Sequence, residues 1–303
     1  GLESVKTGQI VTAKVDFAEI NDLYLQTVYS FYEMGGEKVW DNSRVAFCFD
    51  HYAPCPTIKT ASNHNEMREF AKKNDLVYHF DVDCGVCHQV MAEAGVVYPG
   101  MILVATDSHT TTHGAFGGLG TGCGATDMAC ILMTGEMWFR VPEIIEIRLE
   151  GQPQKGVYPK DVILTVLGKI KADGAVYKCI DFTGSYVDAL DIPGRMTICN
   201  MSIEMGAHGG MIAPDQTTFD YLKGREFAPK GKEWDDEVAD DIVQPVLKFL
   251  QWADELVGCR FDALERMYLF VRENDCIMLL IDINHRETVD ILTYTLQIVS
   301  CAL

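Results

Sequence analysis

Between residues 45 and 200, short runs of apolar, often β-branched or aromatic residues alternate with amphipathic segments that have helical spacing. This alternation is typical of an α/β fold, in which helices pack on a largely parallel sheet. Helices are predicted to start at Thr57, at Thr126 or Asp127 with a run to Phe139, and at Pro159. Five runs are predicted to be strands: 45–49, 76–80, 101–105, 144–149 and 177–182.

The C-terminal quarter of the chain, residues 223–303, differs in composition from the rest. Residues 223–241 are rich in charge, Gly and Pro, which predicts a linker between a first region, 1–222, and a tail, 242–303. Apolar residues recur with helical spacing from Val246 to Leu256, and a strand-like run follows at 277–283. The tail is therefore predicted to be mainly helical.

The charge balance bears on the partners of the chain. With 44 Asp and Glu against 25 Lys and Arg, the formal net charge of −19 would repel a phosphate backbone, so no nucleic-acid partner is expected. The 11 cysteines have no regular spacing, which favours reduced thiols and a cytoplasmic location. We expect no membrane span, because the apolar stretch Cys276–Ile283 is far shorter than the roughly 20 residues that cross a bilayer.

Acidic and histidine residues follow three of the predicted strands at the point where each strand ends. Asp50 and His51 follow the first, Asp107 and His109 follow the third, and a short loop joins the second to His88. In open α/β sheets ligands bind beyond the carboxyl ends of the strands, so these side chains are expected to converge on one crevice. A single Asp–His pair is more often a loop hydrogen bond or a helix cap. Three such groups favour an active site for proton transfer.

Two further motifs admit more than one interpretation. Cys84, Cys87 and His88 match the C-x-x-C-H pattern of haem attachment or part of a zinc site, but a tight Gly turn with incidental thiols is favoured because no further ligand pair is present. The glycine-rich segment 114–124 could cradle a small carboxylate at a helix N-terminus. Close packing of a helix against a sheet explains its glycines equally well.

The stretch 194–206 is predicted to be a helix that ends near Gly206. Asn200 and Glu204 are four residues apart and would share one face of it. Placed against the crevice, Glu204 would supply another carboxylate for a histidine.

Together these segments resemble the aconitase superfamily, and most closely its branch of isopropylmalate dehydratase large subunits. The resemblance runs in family order over about residues 10–222. The matching motifs are 49–51 with 54–59, 85–89, 107–110 with 113–117, 124–128, and 194–206.

The resemblance implies a three-layer α/β/α body and a hydro-lyase that moves the hydroxyl group of a 2-hydroxy dicarboxylate. The reaction implied is the interconversion of 3-isopropylmalate and 2-isopropylmalate in leucine biosynthesis, carried out with a small-subunit partner. Carried over by motif, the implied catalytic residues are Asp50, His51, His88, Asp107, His109 and Glu204. The implied substrate-binding residues are Asp22, Ser108 and Asn200.

The resemblance also implies a [4Fe-4S] cluster held by three cysteines, one in a Ser-Cys-Thr-Asn segment and two in a C-x-x-C pair. The Ser-Cys-Thr-Asn segment does not occur in this chain, and its C-x-x-C pair, Cys84 and Cys87, lies before the histidine motif and not in the later position that the family uses. Cys259, Cys276 and Cys301 lack the flanking residues of those ligands. The alternative hypothesis is therefore a non-catalytic relative without a cluster, which acts as a binding or assembly subunit.

Overall fold

The computed structural model describes residues 5–228 and the backbone of residues 277–282. The strands are β1 Ile10–Lys14, β2 Phe17–Asn21, β3 Val45–Cys48, β4 Tyr78–Phe80, β5 Ile102–Ala105, β6 Leu119–Gly122, β7 Glu136–Arg140, β8 Ile144–Glu150, β9 Cys179–Thr183, β10 Gly209–Met211 and β11 Ile277–Asp282. The helices are α1 Leu25–Glu33, α2 Ile58–Lys73, α3 Cys87–Ala94, α4 Ala125–Thr134, α5 Pro159–Ile170, α6 Ser185–Asp188, α7 Ile192–Asn200 and α8 Gln216–Leu222. Two 3₁₀ helices cover Ser108–Phe116 and Met201–Met205.

The strands form two parallel sheets and one small antiparallel pair. The first sheet has the order β4-β3-β2-β5-β6, the second has the order β10-β9-β8-β11, and β1 pairs with β7. All neighbours within each of the two larger sheets are parallel. The predicted α/β fold is confirmed, because parallel strands need crossover connections and the helices supply them.

The tail contributes one strand to the second sheet. β11 pairs with β8 from Ile277 opposite Ile145 to Asp282 opposite Glu150, which confirms the strand-like run predicted at 277–283. The predicted linker beyond residue 228 and the predicted helical part of the tail lie outside the described residues.

Two of the three predicted helix starts follow from local contacts, whereas α4 starts at Ala125 after Gly124, without the side-chain cap expected from Thr126 or Asp127. Thr57 caps α2, since its hydroxyl accepts a hydrogen bond from the Thr60 amide at 3.1 Å. Pro159 opens α5, and the Asp161 carboxylate accepts a hydrogen bond from the Tyr158 amide at 2.8 Å. None of the helices in the described part of the chain is long and apolar enough to cross a membrane.

Two predicted helices are shorter than expected, and a left-handed glycine follows α4 and the 3₁₀ segment Met201–Met205. The helix predicted to run to Phe139 ends at Thr134, where Gly135 adopts a left-handed conformation with φ of 69°, and β7 follows. The stretch 194–206 is not one helix: α7 ends at Asn200, and the 3₁₀ segment ends at Gly206 with φ of 83°. A left-handed residue cannot continue a right-handed helix, and glycine adopts that conformation without a steric penalty.

The sheets meet in a continuous apolar core that keeps the strand ends in place. One cluster joins Phe17 of the first sheet to Ile147 and Phe182 of the second, with Phe116 also buried in it. Every residue of β2 and β3 is buried, as expected for strands of a parallel sheet that is covered on both faces.

The glycine-rich segment is built for close packing. A Cβ atom on Gly114 would lie 1.7 Å from the Gly210 carbonyl oxygen, and one on Gly120 would lie 2.2 Å from the Thr110 carbonyl oxygen. The first turn of α4 already carries a carboxylate, that of Asp127. The packing interpretation is therefore favoured over a cradle for a small carboxylate.

Alanine substitutions at two glycines should have opposite effects on stability. Gly114→Ala should destabilise the protein by about 1–3 kcal/mol or more, because the backbone at Gly210 must move away. Gly168→Ala should stabilise it by roughly 0.5–1 kcal/mol, since Gly168 lies within α5 with nothing within 4 Å of the added methyl group. Urea unfolding of both variants checks this, and equal midpoints would contradict it.

Candidate active site

The carboxyl ends of neighbouring strands bring the predicted acid and histidine residues together. Asp50 and His51 follow β3, and Asp107 follows β5; both strands pair with β2. His88 lies in the first turn of α3, and His109 lies in the 3₁₀ helix that starts at Ser108. The crevice expected from the sequence therefore forms where the strand order places these ends side by side.

Asp107 is the centre of this arrangement. Its Oδ1 lies 3.0 Å from His88 Nε2 and accepts a hydrogen bond from the His109 amide at 2.7 Å. Its Oδ2 lies 3.3 Å from His51 Nε2 and 3.3 Å from Asn21 Nδ2, which donates to it. One carboxylate therefore orients two imidazoles and the turn that carries a third.

Asp50 joins His51 to the start of α3. Its Oδ1 lies 2.7 Å from His51 Nδ1, and its Oδ2 accepts a hydrogen bond from the Cys87 amide at 2.8 Å. The Asp50 side chain is 4% exposed, whereas that of His51 is 33% exposed. The imidazole of His51 thus lies between the carboxylates of Asp50 and Asp107 and still reaches solvent.

Asp22 lies behind His51 and is fully buried. Its carboxylate accepts hydrogen bonds from the backbone amides of His51 and Tyr52, at 3.0 and 2.8 Å, and contacts His64 Nε2 at 2.8 Å. The geometry gives Asp22 the task of holding the turn that carries His51. Its substrate contact stays a prediction from the family resemblance.

His109 and Glu204 form the most exposed pair of the site. His109 Nε2 lies 3.1 Å from Glu204 Oε1, and the side chains are 37% and 51% exposed. The Ser108 hydroxyl lies 3.2 Å from His109 Nδ1. Both side chains of the pair therefore reach solvent.

Asn200 forms hydrogen bonds with the 3₁₀ helix Ser108–Phe116 and not with Glu204. Its side-chain Nδ2 donates a hydrogen bond to the Thr112 hydroxyl at 2.8 Å, and its backbone carbonyl oxygen accepts one from the Thr111 hydroxyl at 3.1 Å. The expectation that Asn200 and Glu204 share one helix face is wrong, because α7 ends at Asn200. Tertiary packing still brings Glu204 to a histidine.

The pKa values of Asp107 and His88 are shifted in opposite directions. Burial raises the pKa of Asp107, but the hydrogen bond with His88 and the neighbouring positive charge outweigh it, so the pKa falls to about 2. Burial lowers the pKa of His88, but the hydrogen bond with Asp107 and the negative charge of Glu19 outweigh it, so the pKa rises. The raised pKa favours the protonated form of His88, the form that acts as a general acid.

Two buried residues behind His88 were not among the predicted site residues. Glu19 is 0% exposed and His113 is 1% exposed, and Glu19 Oε2 lies 3.6 Å from His113 Nε2. The His113 ring centroid lies 5.5 Å from that of His88. The sequence signal that could have identified Glu19 is its carboxylate inside the mostly apolar strand Phe17–Asn21.

Within residues 5–228, two sets of side chains have ligand atoms close enough for a metal ion. The first set is Glu19, His88 and His113, and the second is Asp22, Asp50 and His51. Within each set, one ligand atom from each residue lies within 4.8 Å of the other two. In the second set, the carboxylates of Asp22 and Asp50 already form hydrogen bonds within the protein. We assign no metal to either set.

The cysteines among residues 5–228 belong to neither of the two groups that could hold a metal ion. Cys84 and Cys87 are therefore not brought together with His88 as ligands of a zinc ion. Burial raises the pKa of the Cys48 and Cys87 thiols far above the usual range. The remaining cysteines, at 259, 276 and 301, lie outside the described residues.

Comparison with known proteins agrees with this geometry. The sequence pattern of the aconitase family (aconitate hydratase) matches residues 9–249. A probable methanogen homoaconitase large subunit from Methanothermobacter thermautotrophicus is 44% identical over 249 residues, covering 80% of this chain and 58% of that protein. A 3-isopropylmalate dehydratase large subunit from Methanopyrus kandleri is 46% identical over 224 residues, covering 74% of this chain and 54% of that protein.

A 3-isopropylmalate dehydratase large subunit from Methanoregula boonei is 45% identical over 222 residues, covering 73% of this chain and 53% of that protein. The chain thus spans about half the length of the curated relatives it matches. The family match, the identities and the histidine–carboxylate geometry lead to one conclusion: the chain belongs to the aconitase family.

Proposed function

We propose that the chain carries the histidine–carboxylate part of a hydro-lyase large subunit that acts on a 2-hydroxy dicarboxylate. The observation that carries this is the position of Asp107, which contacts His51 and His88 and also binds the turn of His109. Relatives are named 3-isopropylmalate dehydratase and homoaconitase large subunits. The interconversion of 3-isopropylmalate and 2-isopropylmalate in leucine biosynthesis is the first reaction to test.

Dehydration of a hydroxy acid needs a base for the C–H proton and an acid for the departing hydroxyl group. His88, with its raised pKa beside Asp107, suits the acid. His109 reaches solvent and is oriented by Glu204, which suits the exchange of a proton with substrate or water. His51, between Asp50 and Asp107, adds a third imidazole at the crevice.

The proposal includes a partner and a location. The relatives are called large subunits, so we propose a small-subunit partner that completes the site. We also propose a cytoplasmic location. None of the cysteines among residues 5–228 is assigned to an iron–sulfur cluster, because the Ser-Cys-Thr-Asn segment of the family does not occur in this sequence.

The alternative is a cluster-less binding or assembly subunit, because the Ser-Cys-Thr-Asn segment that the family resemblance implies does not occur in this sequence. To separate the two, the full chain is purified anaerobically, reconstituted, analysed for iron and sulfide, and mixed with a small subunit of the family. Conversion of 3-isopropylmalate to 2-isopropylmalate, followed by proton NMR, supports the hydro-lyase. An iron-free protein that binds the small subunit but converts nothing contradicts it.

His109→Ala should lower turnover at least about 100-fold, because it removes a proton-transferring group from the crevice. The folded protein should keep its stability, since the side chain is 37% exposed and packs into no core. Glu204→Gln, which keeps an acceptor oxygen, should cost less. Turnover like that of the unaltered protein in His109→Ala would remove His109 from the mechanism.

A further inference from the structure

The carboxylate of Glu19 is buried behind the crevice without a hydrogen bond. Glu19 lies in β2, which pairs with the two strands that end before Asp50 and Asp107, and its side chain is 0% exposed. Within residues 5–228, neither of its carboxylate oxygens has a hydrogen-bond partner. An ionised carboxylate is strongly disfavoured inside a protein unless a positive charge lies close to it.

Two histidines are close enough to supply that charge. Glu19 Oε2 lies 3.6 Å from His113 Nε2, and one ligand atom each of Glu19, His88 and His113 lie within 4.8 Å of one another. Burial lowers the pKa of His113 below its ordinary value, so its ring is neutral at pH 7. His88 is therefore the member of the group that can carry the positive charge.

The charge state of His88 is decided at a buried atom. Nε2 of His88 lies 3.0 Å from Asp107 Oδ1, whereas Nδ1 is buried and has no hydrogen-bond partner within residues 5–228. Asp107 offers only acceptor oxygens, so Nε2 carries a proton whether the ring is neutral or charged. A carboxylate a few ångströms away favours a second proton, at Nδ1, and the interior of the protein strengthens this effect.

The other ionisable groups around His88 already have partners or are neutral. They are Asp50, His51, Cys48, Cys87, Asp107 and His109. The two aspartates bind His51 and backbone amides. The two thiols stay neutral, because burial and then the charge of Glu19 raise their pKa far above the ordinary value. Glu19 is thus the carboxylate of this group that has no hydrogen bond of its own.

We propose that Glu19 is a positioning residue that acts through His88: its charge holds His88 in the protonated form, which serves as the acid of the proposed hydro-lyase. The inference rests on the proposed function of the crevice. His113 contacts the same carboxylate and, because it is neutral, leaves the charge of Glu19 to act on His88.

The test measures the protonation of His88 directly. The full chain is labelled with ¹⁵N-histidine and titrated by NMR, and the His88 signals are identified by their absence in His88→Gln. In Glu19→Gln, which removes the charge and keeps the shape, the titration midpoint of His88 should fall by about one pH unit or more. The matched control is Glu93→Gln, which removes an exposed carboxylate from the helix that carries His88 and should move the midpoint by less than about 0.2 pH units.

Two further measurements separate the role of the charge from a structural role. Glu19→Asp restores the charge, so its midpoint should stay within about half a pH unit of the unaltered protein. The turnover of Glu19→Gln should recover as the pH is lowered, because lower pH restores the proton on His88. A midpoint that moves no more in Glu19→Gln than in Glu93→Gln overturns the proposal.

The unaltered protein gives a check that needs no Glu19→Gln variant. With ¹³C-labelled glutamate, the carboxyl signal of Glu19, identified from Glu19→Asp, should show an ionised group at pH 7, and a neutral carboxyl overturns the proposal. The NMR results do not depend on turnover. An unmoved midpoint in active protein contradicts this inference alone, whereas a chain that converts no substrate contradicts the proposed function.

Discussion

Asp107→Asn is expected to reduce turnover by about four orders of magnitude, the size of effect seen when the carboxylate that orients a catalytic histidine becomes an amide. Asp107 contacts His88 Nε2 at 3.0 Å and His51 Nε2 at 3.3 Å. An asparagine can accept a hydrogen bond at only one of its two side-chain atoms, and it carries no charge to stabilise an imidazolium. Both histidines therefore lose their orientation and their electrostatic partner at once.

The measurement is turnover of 3-isopropylmalate, the proposed substrate, by the full chain with the proposed small-subunit partner. The matched control is Asp83→Asn, which alters an exposed carboxylate near the same site and should keep activity within about twofold of the unaltered protein. A loss of less than about tenfold in Asp107→Asn, with the fold intact, would show that Asp107 does not organise the catalytic groups.

Acid unfolding tests the lowered pKa of Asp107 without measuring activity. Its pKa is about 2 in the folded protein, against 3.8 as the ordinary value. The stabilisation from its ionised form is therefore present above about pH 4 and is lost as the pH falls from about 4 towards 2. In Asp107→Asn, the free energy of unfolding should change less steeply in this window, and an unchanged slope would contradict the cited shift.

The largest expected loss of stability follows from Asp215→Ala, which should cost about 3–5 kcal/mol. Arg195 is fully buried, and its NH1 and NH2 atoms donate to the two oxygens of Asp215 at 2.9 and 2.6 Å. Without Asp215, the guanidinium charge stays inside the protein and keeps only neutral partners, the Leu190 carbonyl and the Thr218 hydroxyl. Asp215 also caps α8 through the Thr218 amide.

Urea unfolding of the full chain measures this effect. Asp220→Ala is the control, because Asp220 is an exposed carboxylate on the same helix whose only described contact is Gln216. It should change the free energy of unfolding by less than about 0.5 kcal/mol. If Asp215→Ala is no less stable than Asp220→Ala, the Arg195–Asp215 contact does not hold α8 to the body.

Much of the first parallel sheet was predictable because its signals are local. Continuous apolar runs at 45–49 and 101–105 appear as β3 and β5, and Thr57 and Pro159 mark helix starts through capping and a fixed φ. Elements with mixed polarity were missed: β2 carries Glu19 and Asn21, and β6 is half glycine. Their strand conformation comes from pairing with neighbours and not from their own side chains.

The sequence by itself determined that acid and histidine residues follow the ends of apolar strands, since that follows from apolar runs and the residues after them. Only the tertiary structure decided which groups meet: Asp107 with both His51 and His88, Glu204 with His109, and Glu19 with His113. These contacts join residues from distant parts of the chain, and their distances depend on strand order and core packing. Periodicity along the sequence carries no information about either.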